Sequence, residues 1–152
     1  MVDIIHRVGI KAPLAKVYAA LATVEGVRGW WTSDTTGESK TGGRVEVCFR
    51  TPSGDEKGKM QFEFTKLDPN GEVGWRVTEG PAEWLGTDVT FDLAREGEYT
   101  LVLFRHRNWR ESGEFMAHCS MKWATFLLSL RQLVETGQGR PAPEDLKIDH
   151  WN

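Results

Sequence analysis

In the stretch SGEFMAHCSMKWATFLLSLRQLVET, residues 112–136, apolar side chains recur every three or four positions: Met116, Cys119, Trp123, Phe126, Leu127, Leu130, Leu133 and Val134. That period is helical, and it predicts one long amphipathic helix over about Ser112 to Thr136. Ser112 is placed to cap its start, with Glu114 in the first turn beside the positive end of the helix dipole. Gly137 and Gly139, with Pro141 beyond, are placed to stop it. About 25 residues at 1.5 Å each give a rod of roughly 37 Å.

Upstream of this helix the period is two. Thr100, Val102, Phe104 and His106 share one parity, with Leu101, Leu103 and Arg105 on the other. Thr87, Val89, Phe91 and Leu93 form the row before it. Val73, Trp75 and Val77, then Met60, Phe62 and Phe64, then Val45, Val47 and Phe49 form earlier ones. Pro52-Ser53-Gly54-Asp55, Asp68-Pro69-Asn70-Gly71, Gly80-Pro81 and Glu96-Gly97 punctuate the rows as turns. The first strand is expected over about residues 3–10, where Ile4, His6, Val8 and Ile10 alternate. Leu14, Val17, Tyr18 and Leu21 predict a short helix over 13–23, and Glu25–Trp31 a second helical turn. Thr32–Gly43 is polar and without period, and is expected to be the longest loop.

Six or so antiparallel strands with one apolar face need a cover, and only the C-terminal helix is long enough to supply it. The fold class is therefore α+β: a curved antiparallel sheet wrapped around a long C-terminal helix. Its 152 residues suit a single domain, here 1–141, with 142–152 a polar tail. A net charge of −3 with mixed signs shows no basic face for nucleic acid. No apolar run is long enough to span a membrane. The N-terminus lacks the basic head and apolar stretch of a signal peptide, so a cytoplasmic protein is expected. Cys48 and Cys119 match no zinc or redox spacing and are expected to be reduced thiols.

The chain resembles the START-like, or SRPBCC, helix-grip superfamily, whose fold is also called Bet v 1-like. Within it the chain is similar to the polyketide-cyclase-like branch of homologues of the activator of heat-shock-protein-90 ATPase. The resemblance runs in order from Ala12-Pro13 and Val17–Leu21 through Trp30-Trp31, Gly42-Gly43, Gly80–Thr87 and Thr100–His106. It ends with Trp123, Leu127, Ser129-Leu130, Glu135–Gly137 and Gly139–Pro141. It implies a sheet gripping the last helix, often with a hydrophobic cavity between them. Members of the superfamily include carriers, cyclases, dehydratases and co-chaperone domains, so the resemblance names no reaction.

Seven tryptophans and seven phenylalanines are many for this length. Such rings build either a bulky core or the wall of an apolar pocket. The candidate wall comprises Phe49, Phe62, Phe64, Trp75 and Phe104 on the strands, Trp31 after the short helices, and Trp84 and Trp109 at strand ends. Cys119 and Trp123 on the long helix complete it, with His106 the best polar member. Histidine titrates near neutrality, so His106 suits a ligand hydrogen bond or, in an enzyme, acid/base work; His6 has the same inward parity. Both also fit a structural histidine satisfied at a strand. His118, beside the helix stripe, and His150, in the tail, are expected to be solvated, and Cys48 has outward parity. No phosphate loop, dinucleotide fingerprint or nucleophile elbow occurs. No metal set and no cofactor are expected. The expected partner is a hydrophobic small molecule such as a lipid, fatty acid or polyketide-like compound. A cyclase, dehydratase or hydrolase using His106, and a co-chaperone-like protein-interaction domain, are the alternatives.

Overall fold

Alternating rows became strands wherever one parity had a core to face. In the computed structural model, which describes residues 1–152, the strands are β1 (Val2–Ile10), β2 (Asp34–Gly37), β3 (Arg44–Arg50), β4 (Glu56–Asp68), β5 (Glu72–Glu79), β6 (Asp88–Glu96) and β7 (Tyr99–Trp109). The helices are α1 (Leu14–Ala22), α2 (Val24–Trp30) and α3 (Glu114–Thr136). The strands form one antiparallel sheet in the order β1-β7-β6-β5-β4-β3-β2. In β7, Thr100, Val102, Phe104 and His106 are fully buried, while Leu101, Leu103 and Arg105 are half-buried on the other face. The outer face carries polar pairs across strands, such as Arg76 and Asp88 at 2.9 Å.

The sheet has seven strands rather than six. The extra one, β2, lies inside the stretch expected to be a featureless loop, and it pairs with β3 from Asp34↔Cys48 to Gly37↔Val45. Four residues at a sheet edge are too few for a period to show. The long helix also starts later than expected. Its N-cap is Gly113, which offers no side chain, so Ser112 lies outside the helix and does not cap it. The far end stops as expected, with Gly137 in the left-handed region at φ 91 and its N–H bonded to the Leu133 carbonyl.

A core of 32 buried apolar residues joins the concave face of the sheet to α1, α2 and α3. Its centre is a continuous run of rings. Trp75 stacks on Phe62 at 4.1 Å between ring centres and on Trp31 at 5.2 Å. Trp123 of α3 continues the run against Trp31 at 5.3 Å, Phe104 at 4.7 Å and Trp84 at 5.8 Å. Each such pair contributes roughly 0.5–1.5 kcal/mol beyond the area it buries.

Residues 142–152 do not trail into solvent. The Ala142 N–H donates to the Trp31 carbonyl at 2.8 Å, and the Ser33 N–H donates to the Ala142 carbonyl at 3.1 Å. The segment then runs along α3. Asp145 is 4% exposed and accepts from Lys122 of α3 and, at 2.9 Å, from Lys147.

Candidate functional site

The rings fill most of the space between sheet and helix, and what remains is a groove at one end. It has a volume of about 200 Å³ and opens to solvent. Trp31, Phe49, Trp84, Trp123 and Phe126 supply aromatic walls. Met60 and Gly58 of β4 form one rim, and Phe115, His118, Cys119 and Lys122 of α3 form another. Trp151 and Asn152 close over it from the C-terminal segment, and Lys57 stands at its edge.

Of the residues anticipated as a pocket wall, Trp31, Phe49, Trp84, Cys119 and Trp123 meet at this groove. Phe62, Phe64, Trp75, Phe104, His106 and Trp109 do not line it. They are at most 2% exposed and belong to the solid core or its polar seam.

His106 is one link in a chain of hydrogen bonds. The Trp123 Nε1–H donates to His106 Nδ1 at 3.2 Å, so Nδ1 carries no proton. Nε2 therefore carries it and donates to Thr87 Oγ1 at 2.8 Å, and Thr87 donates to the Trp84 carbonyl at 2.6 Å. Burial drives the His106 pKa down to about 3, against a small opposing pull from Asp3. With both ring nitrogens occupied and no solvent contact, His106 orients Trp123 and Thr87 and has no nitrogen left for acid/base work. His6 is satisfied too, since its Nε2 lies 3.0 Å from the Ser120 carbonyl on α3.

His118 was expected to be solvated and is not. Its side chain is 12% exposed, and it donates from Nδ1 to Asp149 Oδ2 at 2.7 Å. That bond from His118 holds the Asp149 carboxyl below the usual carboxylate range. Nε2 has no protein partner, and the ring lines the groove between Phe115 and Trp151. Cys48, expected on the outward face, is 4% exposed. Its neighbours Asp34, Arg50 and Glu56 fold over it, and Glu56 accepts its S–H at 3.6 Å. Burial raises the Cys48 thiol and pushes Cys119 up to about 12, so neither is a thiolate at neutral pH.

Charge gathers on one side of the groove. Burial alone would raise the Asp145 pKa, but hydrogen bonds from Lys122 and Lys147 outweigh it and hold the carboxyl below its usual value. Lys122 also donates to the Leu146 carbonyl at 2.8 Å and lies 5.0 Å from the centre of the Phe126 ring. Sequence reasoning missed Lys57, Lys122, His118 and the Trp151–Asn152 closure. His118 and Lys122 are four apart on α3 and flank the Cys119–Trp123–Phe126 stripe, a signal the sequence does carry. The closure carries no such signal, because it depends on where the last residues dock. No three His, Cys, Asp or Glu side chains converge as metal ligands.

A curved antiparallel sheet gripping a C-terminal helix, with an aromatic groove at one end, defines the helix-grip class. Residues 11–135 match the model of the family described as "Activator of Hsp90 ATPase homolog 1-like protein", and the chain belongs to that family. It is 42% identical to Aha1 from Colwellia psychrerythraea, whose solution structure is that of a dimer. The TM-score is 0.79 over 91% of this chain and 100% of that one. It shares its fold with a Mesorhizobium loti protein at 20% identity and a TM-score of 0.73, over 88% and 97% of the two chains. CalU16 from Micromonospora echinospora, also at 20% identity, gives a TM-score of 0.73 over 97% of this chain and 74% of that one. Among curated proteins, none matches the sequence.

Proposed function

We propose that this protein binds a small hydrophobic molecule in the groove between the sheet and α3. The observation that carries this is the wall itself: Trp31, Phe49, Trp84, Trp123 and Phe126 surround an open space that the core leaves unfilled. Apolar walls with a few polar groups characterise small-molecule sites. The size limits the guest. An apolar cavity of about 150 Å³ holds one benzene, and drug-sized ligands occupy roughly 300–1,000 Å³. A groove of about 200 Å³ therefore takes a single ring or a short acyl chain, with any larger part projecting through the mouth.

Gly58 provides the test. A Cβ built there meets nothing within 4 Å, and the residue lines the groove. Gly58→Phe would fill the groove without disturbing the core. Titration with fatty acids, lipids and polyphenols is expected to change tryptophan emission saturably in the parent protein. In Gly58→Phe the response is expected to vanish while the melting temperature stays within about 2 °C of the parent, as for a surface change of under 0.5 kcal/mol. No saturable response from the parent to any of these compounds would remove the proposal.

A further inference from the structure

The geometry points to an anionic head group, a carboxylate, on the groove's ligand, held by Lys57 with Lys122 beside it. This rests on the groove being a ligand site and adds what kind of ligand it selects. Three ammonium groups, those of Lys57, Lys122 and Lys147, gather around a single carboxylate, Asp145. Lys122 and Lys147 both bond to it, and the Asn152 amide takes a further contact at 3.3 Å. Asp145 is 4% exposed, so its lone pairs are committed to these partners.

Lys57 is left over. Its ammonium makes no ion pair or hydrogen bond within the protein, and the residue, itself exposed, borders the aromatic groove. Its chain neighbour Glu56 turns the other way, toward Cys48. The charged groups that act on Lys57 are Lys147, Asp145 and Lys122. Partial burial and the two lysines make its charged form less favourable. An anion between Lys57 and Lys122 would relieve that repulsion. Lys122 has donated to Asp145 and Leu146 and keeps one N–H for such a guest. The Nε2 edge of His118 lies on the same groove and would meet the ligand's body.

The ligand class is thus a small amphipathic monocarboxylate: a short to medium fatty acid or an aromatic acid with its ring against Trp31 and Trp123. Phosphate esters share the charge but are bulkier, and they form the comparison arm of the test.

The experiment measures octanoate, octanamide and octyl phosphate by isothermal titration against the parent, Lys57→Met, Lys57→Arg and Gly58→Phe proteins. Octanoate is expected to bind at least about tenfold more tightly than octanamide, as a charge-assisted bond implies. Lys57→Met is expected to bring octanoate down to the octanamide level without changing octanamide binding. Lys57→Arg keeps the charge and should restore most of the difference. Because Lys57 has no partner to lose, Lys57→Met is expected to melt no lower than the parent, which separates lost recognition from lost folding. Equal binding of octanoate and octanamide in the parent overturns the carboxylate inference and leaves the groove as a ligand site. Tighter binding of octyl phosphate than octanoate also overturns it, in favour of a phosphate. No binding of any of the three, or binding that Gly58→Phe does not abolish, overturns the groove and the inference together.

Discussion

Trp123 donates to His106, His106 to Thr87, and Thr87 to the Trp84 carbonyl, and only the neutral imidazole with its proton on Nε2 satisfies all three bonds. A second proton would place Nδ1–H against the indole N–H of Trp123. The folded His106 pKa of about 3 lies below its usual 6.5, so between those values the unfolded chain binds more protons than the folded one. Stability therefore rises with pH across that window. It is fully present above about pH 6.5 and declines by up to roughly 1.4 kcal/mol per unit as the pH falls toward 3. Urea denaturation at intervals from pH 7 to pH 4 is expected to show this slope. His106→Gln, which keeps one acceptor and one donor but does not titrate, should be less stable at pH 7 and show a flatter slope. An identical slope in the two proteins would assign the acid sensitivity to other groups.

At the scale of elements, α3 and the C-terminal segment are held together by Asp145. Its removal in Asp145→Ala leaves the buried Lys122 with only the Leu146 carbonyl. Breaking a buried pair on one side costs about 3–5 kcal/mol. Urea denaturation is expected to report a loss of that order, with faster proteolysis at Lys147, and adding Lys122→Met should recover most of it. A loss under about 1 kcal/mol would show the pair to be a solvated one. This ion pair also marks how far the sequence could be read. The shift from alternation in Thr100–His106 to helical spacing in Met116–Val134 was legible because each row faces one continuous core. β2 was not, since Asp34–Gly37 is a polar edge strand whose pairing comes from β3. Of the five anticipated residues that border the groove, Phe49 was legible from its strand parity and Cys119 and Trp123 from the helical spacing, whereas Trp31 and Trp84 follow no period. Lys122 and His118 were missed because their partners, Asp145 and Asp149, lie in a segment that carries no period of its own. Only the docking of that segment makes a charged residue compatible with a buried helix face.

For the whole molecule, one core joins nine of the ten elements, all but the polar edge strand β2, so no part of it is a separate core that could persist alone. Unfolding is expected to be a single step. The near-ultraviolet circular dichroism of the stacked rings and the far-ultraviolet signal of the backbone should disappear with the same urea midpoint. Earlier loss of the near-ultraviolet signal would instead indicate a state that keeps its strands while the rings come apart.

The stacked rings have an optical consequence. Trp30, Trp31, Trp75, Trp123, Trp84 and Trp109 form an unbroken path in which no step between ring centres exceeds 6.4 Å. At such separations excitation energy hops between indoles faster than it is emitted. Light absorbed by the deeply buried Trp30 or Trp75 thus reaches Trp31 and Trp123, whose faces border the groove. The six indoles act as one antenna, and a quencher beside either of these two rings darkens the emission of all of them.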